Sequence, residues 1–262
     1  MQFLQLWRCH ADCVRQKVHK FLRIKNTAVK SKHVIALIPA AGSGSRIGND
    51  IKKQYLRIGQ KPILFYTLRQ FDRCGAIEEI ILAVPEEELA FVASEIVDRY
   101  HIHKVKKIVA GGRERQDSVR AAFNAIDNTP DLVMIHDGIR PFVTAEILIN
   151  AVQKTAELGA TVAGIPVAAT IKRVVDGEIT GTLKRDELWE IQTPQTFRFD
   201  WLKRAFEKAE AENFYATDDA GLLEHAGFTV YAIQGSRLNV KITHPDDLKL
   251  AEFLANEFGT IL

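Results

Sequence analysis

The 262-residue chain has three cysteines, two methionines, three tryptophans, eight prolines and sixteen glycines. Cys9 and Cys13 lie near the start and Cys74 stands alone, so there is no disulfide framework and a reducing compartment is expected. Cys9, His10 and Cys13 suggest metal ligands, but no second cluster supplies a fourth, so no zinc site is expected. No apolar run approaches the roughly 20 residues that span a bilayer. With 47% hydrophobic and 26% charged residues, the composition is that of a globular protein and excludes a disordered or collagen-like chain. A surplus of one charge is also missing, since the net charge is +2. That balance hides a division. Residues 1–33 carry eight Lys/Arg against one acid, Asp12, while the other 229 carry 27 bases and 32 acids. A basic extension of net +7 is joined to a body of net −5.

What is present, from Val34 onward, is an alternation of short apolar runs and helical patterns. Val34–Ile38, Ile80–Val84, Lys107–Ala110, Leu132–Ile135 and Thr161–Ile165 read as strands. Between them, Leu89, Val92, Ala93, Ile96 and Val97 mark one helix face, Val119, Ala122, Phe123 and Ile126 a second, and Leu148, Val152 and Thr155 a third. Continuous apolar strands alternating with helices predict an α/β fold, a mostly parallel sheet covered on both faces. In such sheets ligands sit beyond the carboxyl ends of the strands. The alternation breaks at residues 170–186, where Asp176-Gly177 predicts a tight hairpin, either an extra sheet edge or an arm toward a partner. Helices near 200–211, 218–225 and 246–258 and a strand at 228–233 complete the body. The last helix is read with Leu250, Phe253, Leu254 and Phe258 on one side. A domain of residues 34–262 follows the extension of residues 1–33.

The strongest local signal is Pro39-Ala40-Ala41-Gly42-Ser43-Gly44-Ser45-Arg46-Ile47-Gly48 after the first strand. Small residues there let backbone N–H groups approach phosphate oxygens. No Gly-Lys-Ser/Thr follows, so it is not a P-loop, and the glycine spacing is not that of a dinucleotide fingerprint. Arg46, Lys52 and Lys53 supply the positive charge that a triphosphate requires. No Ser–His–Asp or Cys–His arrangement demands explanation. His136 reads as structural, and Asp218 and Asp219 as helix caps or acceptor contacts.

The loop, followed by Lys53-Gln54-Tyr55-Leu56, resembles nucleotidyltransferases that join a sugar or polyol phosphate to a nucleotide. Within these it is most similar to the 2-C-methyl-D-erythritol 4-phosphate cytidylyltransferase family of the non-mevalonate isoprenoid pathway. Further segments match in order: Gly111–Val119, His136–Pro141, Leu188-Trp189 to Gln192–Gln195, Thr217–Asp219, and Asn239–Thr243 with Pro245 and Asp247-Leu248. The resemblance spans about residues 34–258 and implies a Rossmann-like sheet, CTP as co-substrate, magnesium and a homodimer. It also implies roles for residues. Arg46, Lys53 and Lys241 would be catalytic. Backbone at Ala40, Ala41, Gly42, Gly44, Gly112 and Gly138, with the Ser118 hydroxyl, would bind the nucleotide. Asp137 would hold the metal. Asp137, Arg140, Thr170, Thr193 and Thr217 would bind the acceptor, with Arg185 from the partner's arm.

The chain departs from the family pattern at Ala168-Ala169, where a charged residue often precedes the threonine. Gly138-Ile139 replaces an alanine-rich pair and Arg113 replaces an acid. Two alternatives stay open: a cytidylyltransferase for another polyol phosphate such as ribitol 5-phosphate, and a non-catalytic nucleotide-binding module whose basic extension binds RNA or an anionic surface. The primary reading predicts no nucleic-acid or membrane partner and a cytoplasmic enzyme. Residues 1–33 fit a plastid-type transit peptide, an upstream start or a short basic helix about equally well.

Overall fold

The computed structural model describes residues 32–42 and 52–258. The extension with Cys9, His10 and Cys13, and the loop residues Ser43, Gly44, Ser45, Arg46 and Gly48, lie outside the described residues.

Strand β1 (Val34–Pro39) is buried on both faces. Val34, Ala36 and Ile38 point into one core and Ile35 and Leu37 into the other, the period-2 alternation of an extended chain. β4 (Glu79–Val84) and β6 (Leu132–Ile135) divide their side chains the same way and flank β1 in parallel. Among the described residues seven strands form the main sheet, in the order β11-β7-β10-β6-β1-β4-β5. The others are β5 (Val105–Ala110), β7 (Ala160–Pro166), β10 (Trp189–Arg198) and β11 (Tyr231–Gln234). Only β10 among these runs antiparallel to its neighbours. A short hairpin of β2 (Arg57–Ile58) and β3 (Lys61–Pro62) precedes β4.

Helices α1 (Ile63–Arg73), α2 (Leu89–Val92) and α4 (Ala145–Leu158) pack on one face of the sheet. Helices α3 (Arg115–Asn124), α5 (Phe199–Ala211) and α6 (Asp219–His225) cover the other. This is the expected α/β, Rossmann-like arrangement. The helix face through Val92 and Ile96 is buried as read, but after Val92 the backbone runs on as π-helix Ala93–Asp98.

The hairpin forms where Asp-Gly predicts it. β8 (Lys172–Val175) pairs with β9 (Glu178–Thr182) in a sheet of its own. Asp176 and Gly177 have φ of 49° and 86°, the two positive values of a type I′ turn. Every residue of both strands is exposed, so the hairpin is an arm and not an edge of the main sheet.

Other elements also differ from the sequence reading. The strand expected at 228–233 starts only at Tyr231. The ten-residue strand β10 carries a proline and several polar side chains, and its register shifts between Ile191 and Gln195, around Pro194. In α7 (Pro245–Phe258) the inward stripe is Ala251 and Leu254, packed on Ile58, Ile63, Phe142 and Ile242. Leu250 and Phe253 are exposed.

Candidate active site

The turns after β1, β5 and β6 meet at the carboxyl ends of the parallel strands. They wall a cleft of about 440 Å³ lined by Ala40, Ala41, Gly42, Lys53, Gly112, Arg115, Ser118, Asp137 and Lys241, among others. The first wall is tied to the sheet by its backbone, since the Ala40 N–H donates to the Ala83 carbonyl at 2.7 Å. Buried Gln54 donates to the Ala40 carbonyl at 2.8 Å, which secures the start of the Gly-rich loop.

The second wall, Gly111–Ser118, approaches the first closely. A Cβ on Gly111 would lie 2.3 Å from Ala41 Cβ. The Gly112 N–H donates to Ser118 Oγ at 3.1 Å, and the hydroxyl donates to the Glu114 carbonyl at 3.2 Å. Glu114 and Asp117 form a capping box that starts α3.

The third wall holds the charge. Asp137 Oδ1 accepts from Arg115 Nε at 2.9 Å, Oδ2 pairs with Lys241 Nζ at 2.8 Å, and Arg140 Nε stands 3.7 Å from Oδ2. Burial works to raise this carboxyl, but Arg115, Lys241 and Arg140 outweigh it and hold it well below the usual range. Arg115 reaches a second carboxylate, with Nη2 2.8 Å from Asp219 Oδ2. Burial pushes the Asp219 carboxyl up, and Arg115 offsets that only in part.

Behind Asp137 runs a hydrogen-bond chain. The Asp137 N–H donates to Thr193 Oγ1 at 3.1 Å, Thr193 Oγ1 meets His136 Nδ1 at 3.0 Å, and His136 Nε2 meets the Arg140 carbonyl at 3.1 Å. A carbonyl only accepts, so Nε2 carries the proton and Thr193 donates to Nδ1. Burial pushes the imidazole down to about 4, so it is neutral. The structural reading of His136 fits these contacts. Arg140 Nη1 donates to the Asn239 carbonyl at 2.8 Å, and the Asn239 side chain donates to the Thr193 carbonyl at 2.8 Å. Gly138 joins two walls: its N–H donates to the Pro39 carbonyl at 3.2 Å, and its carbonyl accepts from Thr67 at 2.9 Å.

The cleft therefore gathers Ala40, Ala41, Gly42, Lys53, Gly112, Ser118, Asp137 and Lys241 from the sequence-predicted set. Arg140, Thr193 and Gly138 stand directly behind it. Gly44 and Arg46 lie outside the described residues. Thr217 is exposed on the loop before α6, Thr170 is exposed where the arm begins, and Arg185 donates to the Ala168 carbonyl at 3.2 Å. Lys52 faces away from the phosphate role suggested for it. Its ammonium meets Glu87 at 2.6 Å and Glu88 at 3.0 Å. Of the two aspartates, Asp218 caps α6, accepting from the Gly221 N–H at 3.0 Å, while Asp219 turns inward to Arg115. Sequence reading missed Arg115, although it lies inside the quoted Gly111–Val119 segment.

The donors do not form a cage for a resident metal. Among the described residues no group of three or more His, Cys, Asp or Glu side chains is placed to hold one. Both oxygens of Asp137 already face cations.

A family profile described as 2-C-methyl-D-erythritol 4-phosphate cytidylyltransferase matches residues 34–257. The chain belongs to the 2-C-methyl-D-erythritol 4-phosphate cytidylyltransferase family. A relative of that name from Syntrophus aciditrophicus is 44% identical over 230 residues, 87% of this chain and 98% of its own. The crystal structure of 4-diphosphocytidyl-2C-methyl-D-erythritol synthase from Anaerococcus prevotii superposes with a TM-score of 0.77 at 28% identity, covering 88% of this chain and all of that one. The 2-C-methyl-D-erythritol 4-phosphate cytidylyltransferase of Thermus thermophilus gives a TM-score of 0.70 at 31% identity, over 86% of this chain and 99% of that one. As a member of the cytidylyltransferase family the chain is a nucleotidyltransferase of isoprenoid biosynthesis. The matched span includes all three walls of the cleft and the arm.

Proposed function

We propose that the chain transfers CMP from CTP to 2-C-methyl-D-erythritol 4-phosphate, giving 4-diphosphocytidyl-2-C-methyl-D-erythritol and diphosphate. The observation that supports this most is the gathering of Lys53 and Lys241 in one cleft around Asp137, in a chain whose relatives are cytidylyltransferases over nearly their whole length.

In the reaction an oxygen of the acceptor phosphate attacks the α-phosphorus of CTP, and the bond to the bridging oxygen breaks as diphosphate leaves. A phosphate monoester loses its second proton near pH 6, so no general base is needed. The barrier is repulsion between anions and the charge growing on the leaving group, which positioning and cations relieve. Arg46 and Lys53 hold the triphosphate and stabilise the transition state. Lys241 leaves Asp137 to bridge the α-phosphate and the incoming phosphate. Backbone at Ala40, Ala41, Gly42, Gly44, Gly112 and Gly138, with Ser118, receives the nucleotide. Asp137, Arg140, Thr193 and Thr217 receive the acceptor. Once Lys241 has left it, Asp137 would be the carboxylate to hold magnesium beside the triphosphate, where the ion would neutralise phosphate charge.

The enzyme works as a homodimer in which each arm carries Arg185 to the partner's cleft, while Thr170 joins the acceptor contacts of its own chain. Support comes from Val174 and Ile179, exposed at 55% and 62% on an arm whose two strands are exposed along their length. Residues 34–262 form the catalytic domain and residues 1–33 a basic addition, a boundary supported by the family match beginning at residue 34. Sparse cysteines, with Cys74 a buried free thiol, support the cytoplasm. Among the described residues no helix is long and apolar enough to cross a membrane.

The test is acceptor preference. Pure protein with CTP should show a kcat/KM for 2-C-methyl-D-erythritol 4-phosphate about a hundredfold above that for ribitol 5-phosphate, a discrimination of about 3 kcal/mol. Preference for ribitol 5-phosphate would overturn the acceptor assignment.

A further inference from the structure

Arg115 opens α3, lines the cleft and grips two buried carboxylates at once. Its Nε donates to Asp137 Oδ1 at 2.9 Å, and its Nη2 lies 2.8 Å from Asp219 Oδ2. Asp137 follows β6 and Asp219 begins α6, so one planar fork fixes three elements. The next residue locks the same junction. The Gln116 amide donates to the Phe214 carbonyl at 3.0 Å and accepts from the Ala216 N–H at 3.0 Å, which pins the loop that leads to Asp219.

Asp137 has two close cations, with Arg140 Nε farther off at 3.7 Å from Oδ2. Oδ1 belongs to Arg115 and Oδ2 to Lys241, at 2.8 Å. A carboxylate pinned through one oxygen and held by its own backbone N–H to Thr193 presents the other oxygen in one direction. That direction sets where the Lys241 ammonium stands before substrate arrives.

We propose that Arg115, backed by Asp219, is a positioning residue for cytidylyl transfer: it orients Asp137 so that Lys241 is delivered to the reacting phosphates. This rests on the reading of Lys241 as the group that bridges those phosphates. The contrasting account is that Arg115 only neutralises buried acids and holds the fold.

Arg115→Met alone strands the buried Asp219 carboxylate, while Asp137 keeps Lys241 and Arg140. The deciding variant is therefore Arg115→Met/Asp219→Asn, which removes one buried charge of each sign, compared with Asp219→Asn. Melting, CTP affinity by calorimetry, and kcat and KM with CTP and 2-C-methyl-D-erythritol 4-phosphate are measured for both. The double variant should melt cooperatively and bind CTP within about threefold of Asp219→Asn. Its kcat should be about a hundredfold lower, the scale of a small misplacement of a reacting group. A kcat within about threefold of Asp219→Asn overturns the proposal. Arg115→Lys is the second variant, since it keeps the charge but loses the fork. It should lose at least about tenfold in kcat with unchanged CTP affinity, and a wild-type kcat there also overturns the proposal. Failure of the wild type to turn over this acceptor would overturn the function reading and the proposal together. Turnover by the wild type with an unimpaired double variant overturns the proposal alone.

Discussion

Three cations share the single carboxylate of Asp137, and that sharing decides what each substitution does. Lys241→Ala leaves Asp137 paired with Arg115 and Arg140, so the fold should survive while kcat falls at least about a hundredfold, the usual cost of deleting a transition-state contact. Arg46→Ala should behave alike. Rates near wild type with an intact melting curve would refute both roles. His136 gives a pH prediction. Its folded pKa is about 4 against an ordinary 6.5, with Asp137, Arg140 and Arg115 as the charged groups that face it. The unfolded chain therefore takes up this proton first as the pH falls. Stability is full above about 6.5 and drops through the window down to 4, by about 3 kcal/mol. Urea unfolding at several pH values checks this, and His136→Gln should remove that part of the slope. A wild type equally stable at pH 7 and 4 would contradict it.

At the scale of elements, the mainly apolar strands β1, β4 and β6 were legible because burial on both faces leaves a continuous hydrophobic run. The Asp176-Gly177 arm was legible because its turn needs positive φ. Helix α1 was not anticipated, although Leu64, Leu68 and Phe71 recur at helical spacing on its buried face. Strand β10 escaped notice because it buries Gln192, Thr193, Gln195 and Thr196. Their partners come from distant segments: Gln195 donates to Asp218 at 2.8 Å and accepts from the Ala220 N–H at 2.9 Å. No local pattern shows such pairings. Gly159, at the end of α4, has φ of 91°, and a Cβ there would lie 2.4 Å from the Trp201 ring. Gly159→Ala should cost about 2–4 kcal/mol, from the left-handed backbone and overpacking together. Gly159 precedes the amino end of β7, outside the cleft, so kcat at low temperature should be unchanged. Denaturant melts and initial rates check both halves.

For the whole molecule, the near-neutral charge conceals a basic extension and an acidic body whose cleft nonetheless gathers cations. Deleting residues 1–33 should leave kcat and CTP affinity within about twofold, since each proposed catalytic cation follows residue 33; a loss of activity would move the domain boundary. The arm makes the assembly testable. Val174→Asp/Ile179→Asp should convert a dimer into monomers by light scattering, and kcat should fall because Arg185 no longer reaches a neighbouring cleft. The candidate site was legible in its loop, its aspartate and its lysines, which sit in recognisable runs. The Arg115–Asp219 pair was not, because its two members lie far apart in the chain and meet only in the folded protein. The central claim is that this cleft joins two phosphates and releases diphosphate. Phosphorus NMR of the enzyme with CTP, magnesium and 2-C-methyl-D-erythritol 4-phosphate tests it most directly. The account predicts one diphosphate diester and one free diphosphate for each CTP consumed. Unchanged CTP, or CMP without the diester, would contradict it.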